Sequence, residues 1–199
     1  MTTKRLMSVT AAGFLCLVSG CSTIEASFGY NPEPPVALIE EDAEGIIIGQ
    51  FSDRRGSRTH WLGEVPWTYY SVVSGIEAEQ PVAHILRDVF IEAADDRGML
   101  SESGIPARYQ IYGQMTRLDG DDGVPATANI DLVIRLLDLE DNRDVYITEH
   151  KVETSAPPES GYAFDLVDIV ERAINRVVAQ SLDDPKLRAV LLGEEIEEG

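Results

Sequence analysis

The chain has 199 residues, enough for one globular domain, and 44% apolar with 26% charged residues is the composition of a folded protein. Thirty-five acidic residues against 16 basic ones give a formal charge of −19. Such a surface repels nucleic-acid phosphates and anionic lipid headgroups. We therefore expect no nucleic acid as a partner and no polybasic docking to a membrane.

The first twenty residues have the three parts of a secretory signal peptide. Lys4 and Arg5 supply positive charge, residues 6–18 form an apolar stretch too short to span a bilayer, and small residues follow. The sequence VSGC at 18–21 resembles the lipobox of bacterial lipoproteins, in which the cysteine sulfur accepts a diacylglyceryl group and small neighbours admit the peptidase. An ordinary signal peptide that precedes a cysteine by chance is the alternative. We predict cleavage after residue 20 and lipid on Cys21.

Cleavage at this point changes the charge and the cysteine content of the protein. Loss of the two N-terminal bases leaves 14 bases against 35 acids, a formal charge of −21. Cys16 departs with the signal, so Cys21 is the only cysteine left and no disulfide forms within the chain. Two or three acyl chains make such an anchor effectively permanent. Ser22 follows the cysteine where inner-membrane lipoproteins tend to have Asp, so resemblance favours a periplasm-facing lipoprotein of the outer membrane.

The mature chain divides into a tether, one domain and a tail. Residues 22–35 lack periodicity and end in a proline pair, which favours a stiff, extended segment that lifts the domain off the membrane. We predict a signal peptide over 1–20, a lipidated tether over 21–37, a single domain over 38–192 and an acidic tail over 193–199.

Within the domain, hydrophobic periodicity and turn residues predict four strands and two main helices. Residues 52–79 read as a long connection with Gly and Pro, and Asp184-Pro185 as the cap and first turn of a short last helix. The predicted strands cover 45–51, 109–115, 124–139 and 143–154. The first predicted helix starts at Pro81, and the second covers 165–182.

These elements predict an α/β (α+β) two-layer sandwich. Both helices have one apolar face, so both bury it if they lie on the same side of a sheet of about four strands. The helical crossover makes the first two strands parallel, and the turns at 120–123 and 141–142 make the later pairs antiparallel. We therefore expect a mixed, mostly antiparallel sheet with two main helices on one face.

Three short sequences together resemble a known family. These are FSDRRG at 51–56, WLG at 61–63 and EQPV at 79–82, and in looser form the similarity covers residues 44–191. The pattern is similar to that of small proteobacterial lipoproteins of the YajG family, and more distantly in plan to lipoproteins that accompany ABC-type lipid transport systems. The resemblance implies an envelope lipoprotein and carries over no catalytic residue. The sequence departs from the family pattern at 64–70, where the family has a more basic, glycine-rich stretch.

The segment 51–73 is the candidate interaction loop. It concentrates arginine and aromatic side chains, the residue types enriched at interface hot spots, in an acidic chain. The alternative is that Trp61 and Trp67 close over an edge of the core, while Asp53 and Arg55 pair to brace the loop. The candidate interaction residues are Arg54, Arg55, Trp61, Trp67, Tyr69 and Tyr70.

No pattern in the sequence is typical of catalysis or of metal binding. The three histidines, His60, His84 and His150, do not share a helical turn, and no nucleophile elbow, phosphate loop or zinc-protease motif is present. Acidic pairs such as 121–122 and 183–184 fall at turns and helix ends, where Asp is explained by capping. We expect a non-enzymatic protein without cofactor or metal that binds an envelope protein or lipid. The alternatives are a structural tether without a ligand and a hydrolase of envelope polymers.

Overall fold

The computed structural model describes residues 24–32, 38–39, 43–56, 58–67, 72–102, 105–121, 123, 125–156 and 164–194. The side chains of residues 24, 64–67, 72–74, 164 and 165 are not described. The predicted signal peptide, Cys21, Tyr69 and Tyr70 lie outside these ranges. The strands are β1 (Ile24–Ala26), β2 (Ile46–Asp53), β3 (Trp61–Trp67), β4 (Val72–Ala78), β5 (Tyr109–Asp121), β6 (Thr127–Asp138) and β7 (Arg143–Ser155), and the helices are α1 (Val82–Asp96), α2 (Phe164–Leu182) and α3 (Pro185–Leu191).

The architecture is the predicted α+β sandwich. Strands β2, β5, β6 and β7 form the four-stranded part, in which β2 and β5 are parallel and the later pairs are antiparallel, as the turns predict. Helices α1 and α2 pack on one face of this part, and the sheet does not close. Among the described residues no helix is both long enough and apolar enough to cross a membrane.

The apolar faces of the two helices are those predicted from periodicity. Every residue predicted for the stripe of α1 is buried, and so is every residue predicted for the stripe of α2. Burying such side chains contributes about 1.5–3 kcal/mol each, so the two stripes define the core. The residues are Val82, Ile85, Leu86, Val89, Phe90 and Ala93 in α1, and Leu166, Ile169, Val170, Ala173, Ile174, Val177 and Val178 in α2.

Three strands lie in segments for which the sequence predicts no regular structure. The predicted connection 52–79 contains the antiparallel pair β3–β4, and β1 adds to β4 in parallel, so a three-stranded part extends the sheet to seven strands. Pro66 weakens the strand pattern of β3, since proline cannot donate to a ladder. Pro66 is nevertheless in register with Val73 of β4, and the described pairing of β3 with β5 is confined to Glu64 and Asp121.

The described part of the predicted tether is packed against the domain. After β1, the Gly29 N–H donates to Glu171 Oε1 at 3.3 Å and the Asn31 N–H to Asn175 Oδ1 at 2.8 Å, while the Asn175 amide donates to Gly29 O at 3.2 Å. The expectation that residues 22–35 act as a spacer is therefore wrong for residues 24–32. The sequence hides this contact because the segment contributes backbone groups to it, and these carry no residue signal.

Candidate functional site

Arg55, a predicted interaction residue, is a brace inside the fold. Its guanidinium forms a two-pronged ion pair with Asp53, with Nη2 2.8 Å from Oδ2, and the two side chains are 10% and 3% exposed. The same group donates to the carbonyls of Trp61 at 2.6 Å and Leu118 at 3.2 Å. It thereby joins the end of β2 to β3 and β5. Arg55 thus forms the pair with Asp53 that the bracing alternative describes, and its guanidinium is occupied by these contacts.

Arg54, next to it, lies on the opposite, exposed side of the chain. The backbone N–H of Arg54 donates to Met115 O at 2.9 Å, which extends the pairing of β2 with β5 by one residue. With the Gln114 amide oriented so that its oxygen faces Arg54, that oxygen accepts from Nε at 2.7 Å and from Nη2 at 3.1 Å. Arg54 therefore belongs to the surface that the helices leave uncovered.

Trp61, the first residue of β3, is half-buried, and its side chain packs against β4. Its six-membered ring lies over Gly75, where a Cβ atom would overlap it, and the Arg58 guanidinium stacks 5.1 Å from the ring centroid. Glycine is thus required at position 75 because the Trp61 ring approaches the backbone closely, and not because the chain turns there. For Trp61 this is the packing of the alternative in which the ring closes over an edge of the core.

The remaining predicted aromatic residues are Trp67, Tyr69 and Tyr70. Trp67 is the last residue of β3 and pairs with Val72, the first residue of β4. The side chain of Trp67, and Tyr69 and Tyr70 entirely, lie outside the described residues. Whether these three rings form a binding patch stays a prediction.

The face of the sheet opposite the helices carries a shallow groove of about 450 Å³. Residues alternate along the strands, so Ser52, Gln114 and Arg135 point to this face while Phe51, Met115 and Ile134 point to the core. Arg135 pairs with Asp144 at its rim. The lining comprises Gln50, Ser52, Tyr112, Gly113, Gln114, Arg135, Leu137, Asn142 and Asp144.

A second groove of about 580 Å³ lies on the other side of β2, between this strand and α1. The pairing of β2 with β5 shifts register between Ile48 and Phe51, and the Gly49 carbonyl at this bulge accepts from Arg87 Nε of α1 at 3.0 Å. An isolated glycine within an apolar strand is the sequence signal of such a bulge. The lining comprises Gln50, Phe51, Gln80, His84, Arg87 and Asp88.

Gln50 lines both grooves, so they flank one strand. β2 has β5 as its strand neighbour on one side, and on the other side the described contacts are with the chain at 99–101 and with Arg87. We name this region, with its two grooves, the β2 edge. A sheet edge can take an extended peptide as an added strand. The β2 edge is therefore the candidate functional site.

The histidines lie apart and have separate roles. His60 Nδ1 is 2.9 Å from Ala78 O, and His84 lines the groove beside α1. His150 is buried, with Nε2 3.2 Å from the Tyr146 hydroxyl and 3.9 Å from Asp184 Oδ2, and burial lowers its pKa although Asp184 opposes this shift. Within the described residues, no three His, Cys, Asp or Glu side chains converge as metal ligands.

The acidic pair 183–184 serves structure in the predicted way. Asp184 caps α3 by accepting from the N–H groups of Lys186 and Leu187. Asp183 pairs with the buried Arg97 at 2.8 Å and with Arg188 at 2.7 Å. Burial raises the pKa of Asp183, but Arg97 and then Arg188 outweigh it and hold the pKa below its ordinary value.

Comparison with known proteins gives similarity of fold. No protein-family model and no curated protein matches the sequence. A crystal structure from Xanthomonas campestris, of the DUF330 family, aligns over 85% of this chain and 97% of its own with 17% identity and a TM-score of 0.60. A candidate lipoprotein from Caulobacter crescentus aligns over 57% of this chain and 84% of its own with 17% identity and a TM-score of 0.39.

The lipoprotein GNA1162 from Neisseria meningitidis aligns over 67% of this chain and 97% of its own, with 11% identity and a TM-score of 0.28. Of these three, the Xanthomonas protein has a TM-score above 0.5. At 17% identity this likeness indicates a shared fold and does not transfer a function. The chain therefore has the fold of the Xanthomonas DUF330 protein.

Proposed function

We propose that this chain is an envelope lipoprotein that is anchored through lipid on Cys21 and acts by binding rather than by catalysis. The lipobox-like sequence at 18–21 carries the proposal, and the resemblance to the YajG family supports it. The absence of Asp after the cysteine favours the periplasmic side of the outer membrane. The domain then faces the periplasm.

Substitution of the cysteine tests the anchor. Cys21→Ala removes the sulfur that accepts the lipid, so the variant leaves membranes without detergent while the unsubstituted protein stays with them. Mass spectrometry of the mature N-terminus is the direct measurement. An unmodified N-terminus at Ser22, or an intact Met1, contradicts the proposal.

The partner we propose is a protein that presents an extended segment to the β2 edge. The groove beside α1 is lined mainly by amide and charged side chains, and these match the polar backbone of a polypeptide better than they match acyl chains. An added strand would lie on the side of β2 away from β5, where the described contacts are with the chain at 99–101 and with Arg87. The formal charge of −21 favours a partner segment that is basic.

Photocrosslinking in intact cells tests this partner. A crosslinking amino acid at position 50 is expected to capture one protein reproducibly, identified by mass spectrometry. The same amino acid at Gln180, exposed on α2, is the matched control and is expected to capture none. Equal capture at both positions, or capture at neither, contradicts the proposal and favours the structural tether without a specific ligand.

A further inference from the structure

Of the two grooves that border β2, the one on the uncovered face of the sheet cannot take an added strand. It lies over β5, which pairs with β2 on one side and with β6 on the other, so the strand beneath it has no free edge. A peptide that extends a sheet needs such an edge for its backbone hydrogen bonds. A ligand of this groove, which we call the open-face groove, is therefore recognised through side chains. All its lining residues lie in the described part of the chain.

Tyr112 supplies apolar ring surface to the open-face groove and is held in place. Its hydroxyl donates to Gln110 Oε1 at 2.7 Å. Its ring lies beside Gly49, where a Cβ atom would come within 2.9 Å of Tyr112 Cε1. Glycine at position 49 thus leaves room for the ring. A ring that is fixed before a ligand arrives loses little conformational entropy on binding.

Side chains with free hydrogen-bonding capacity stand around this ring. In the described part of the chain, no hydrogen bond engages the side chains of Gln50, Ser52 and Asn142. Each of these amide and hydroxyl groups can both donate and accept. They come from β2 and from the turn between β6 and β7, which lie on opposite sides of β5. The open-face groove therefore combines an aromatic ring with polar groups on two sides of it.

The two charged side chains of the lining balance each other. Arg135 and Asp144 form an ion pair, and their side chains are 52% and 24% exposed. An anion or a cation in the groove would meet one attractive and one repulsive group, so the pair favours a ligand without net charge. A hydroxyl group suits the pair, because its oxygen accepts from the guanidinium and its hydrogen is donated to the carboxylate.

A sugar ring has the distribution of groups that complements this lining. Its hydroxyls project around its edge, and each can donate and accept, while its faces present C–H groups that pack on aromatic rings. The groove volume of about 450 Å³ lies towards the lower end of the range of about 300–1,000 Å³ for small-molecule sites, which suits a mono- or disaccharide.

We propose that the open-face groove binds an uncharged saccharide, with Tyr112 against one face of the sugar and the Arg135–Asp144 pair at its hydroxyls. This site goes beyond the protein partner of the β2 edge. It depends neither on that partner nor on lipid at Cys21.

An NMR titration of the full, isotope-labelled chain tests the site, in a detergent without sugar headgroups. The probes are three uncharged disaccharides, namely maltose, cellobiose and N,N′-diacetylchitobiose. At least one of them is expected to shift the backbone amide resonances of Tyr112, Gln114 and Arg135, with a dissociation constant of about 0.1–10 mM because the groove is shallow and wet. The amide of Gln180, exposed on α2, is expected to stay unchanged.

Substitution of the ion pair gives the second arm of the test. Arg135→Ala removes the guanidinium and is expected to weaken binding at least about tenfold. Arg117→Ala is the matched control, because Arg117 is 51% exposed, pairs with Asp119 in the same sheet and lies outside the lining of the groove. It is expected to change the affinity less than about twofold. Both arginines are exposed, and thermal melting confirms that each variant folds.

Several results would overturn the proposal. One is the absence of shifts at the groove with all three disaccharides, and another is equal weakening by the two arginine substitutions. Tighter binding of glucuronate or glucosamine than of every uncharged disaccharide would contradict the charge balance. Equal binding of N-acetyl-triglycine amide, an uncharged peptide, would show that the groove does not select a saccharide. None of these results affects the N-terminal mass that tests Cys21 or the crosslinking from position 50.

Discussion

At Arg55 one guanidinium neutralises a buried carboxylate and satisfies two carbonyls from different strands. Removing it leaves Asp53 buried without its counter-charge. Breaking such a pair by removing one partner destabilises a protein by about 3–5 kcal/mol. We expect Arg55→Ala to lower the free energy of unfolding by this amount in urea titrations. Arg54→Ala, at the exposed neighbour, is the control and is expected to cost less than about 1 kcal/mol. Equal losses would contradict the bracing role.

His150 predicts a pH dependence of stability. Burial lowers its pKa in the folded state, with Asp184 opposing the shift, so the folded protein binds fewer protons there than the unfolded chain. Stability therefore rises with pH between the folded pKa and the ordinary value of 6.5. We expect the free energy of unfolding to fall when the pH is lowered from about 7.5 to about 5.5. His150→Gln is expected to reduce this slope, and an unchanged slope would show that other groups cause it.

Helix α2 supports both the core and the N-terminal segment, on different faces. Ile174 is fully buried in its stripe, so Ile174→Asp buries a carboxylate without a counter-charge and is expected to cost several kcal/mol, much of the stability of such a domain. Gln180→Asp introduces the same side chain at an exposed position of the same helix and is expected to cost less than about 1 kcal/mol. Thermal melting compares the two, and similar shifts would contradict the packing of α2.

Asn175, on the same helix, fastens the segment after β1. Its amide accepts from Asn31 N–H and donates to Gly29 O, so Asn175→Leu leaves both backbone groups without this partner. We expect hydrogen exchange at the Asn31 amide to accelerate at least about tenfold, which corresponds to roughly 1.4 kcal/mol of local stability. Exchange within β6 is the internal control and is expected to change less. Unchanged exchange at Asn31 would show that other contacts hold the segment.

For the whole molecule, net charge and local pairing act in opposite directions. A formal charge of −21 from residue 21 onward destabilises the compact state through self-repulsion, which salt screens. We expect the melting temperature to rise by at least about 2 °C between low salt and about 300 mM sodium chloride. Potassium chloride at equal ionic strength controls for a specific effect of sodium. A falling melting temperature would show that attractive pairs such as Arg97 with Asp183 dominate.

The sequence by itself determined the elements whose signal is local. The helical stripes of α1 and α2, the parallel and antiparallel pairings of the four-stranded part, and the cap at Asp184 follow from periodicity and turn residues, because these patterns are set by residues a few positions apart. The lipobox-like sequence ending at Cys21 is local in the same sense. This sequence is recognised from four consecutive residues, without knowledge of the fold.

The tertiary structure decided what depends on distant partners. Strand β1 is three residues long and exists because β4 offers an edge, and β3 contains a proline but pairs with β4 all the same. Arg55 and Arg54 look alike in the sequence, yet one is buried in a brace and the other lies on the open face. Burial, strand partners and the course of the N-terminal segment are set by contacts between residues far apart in the chain, and no local pattern encodes them.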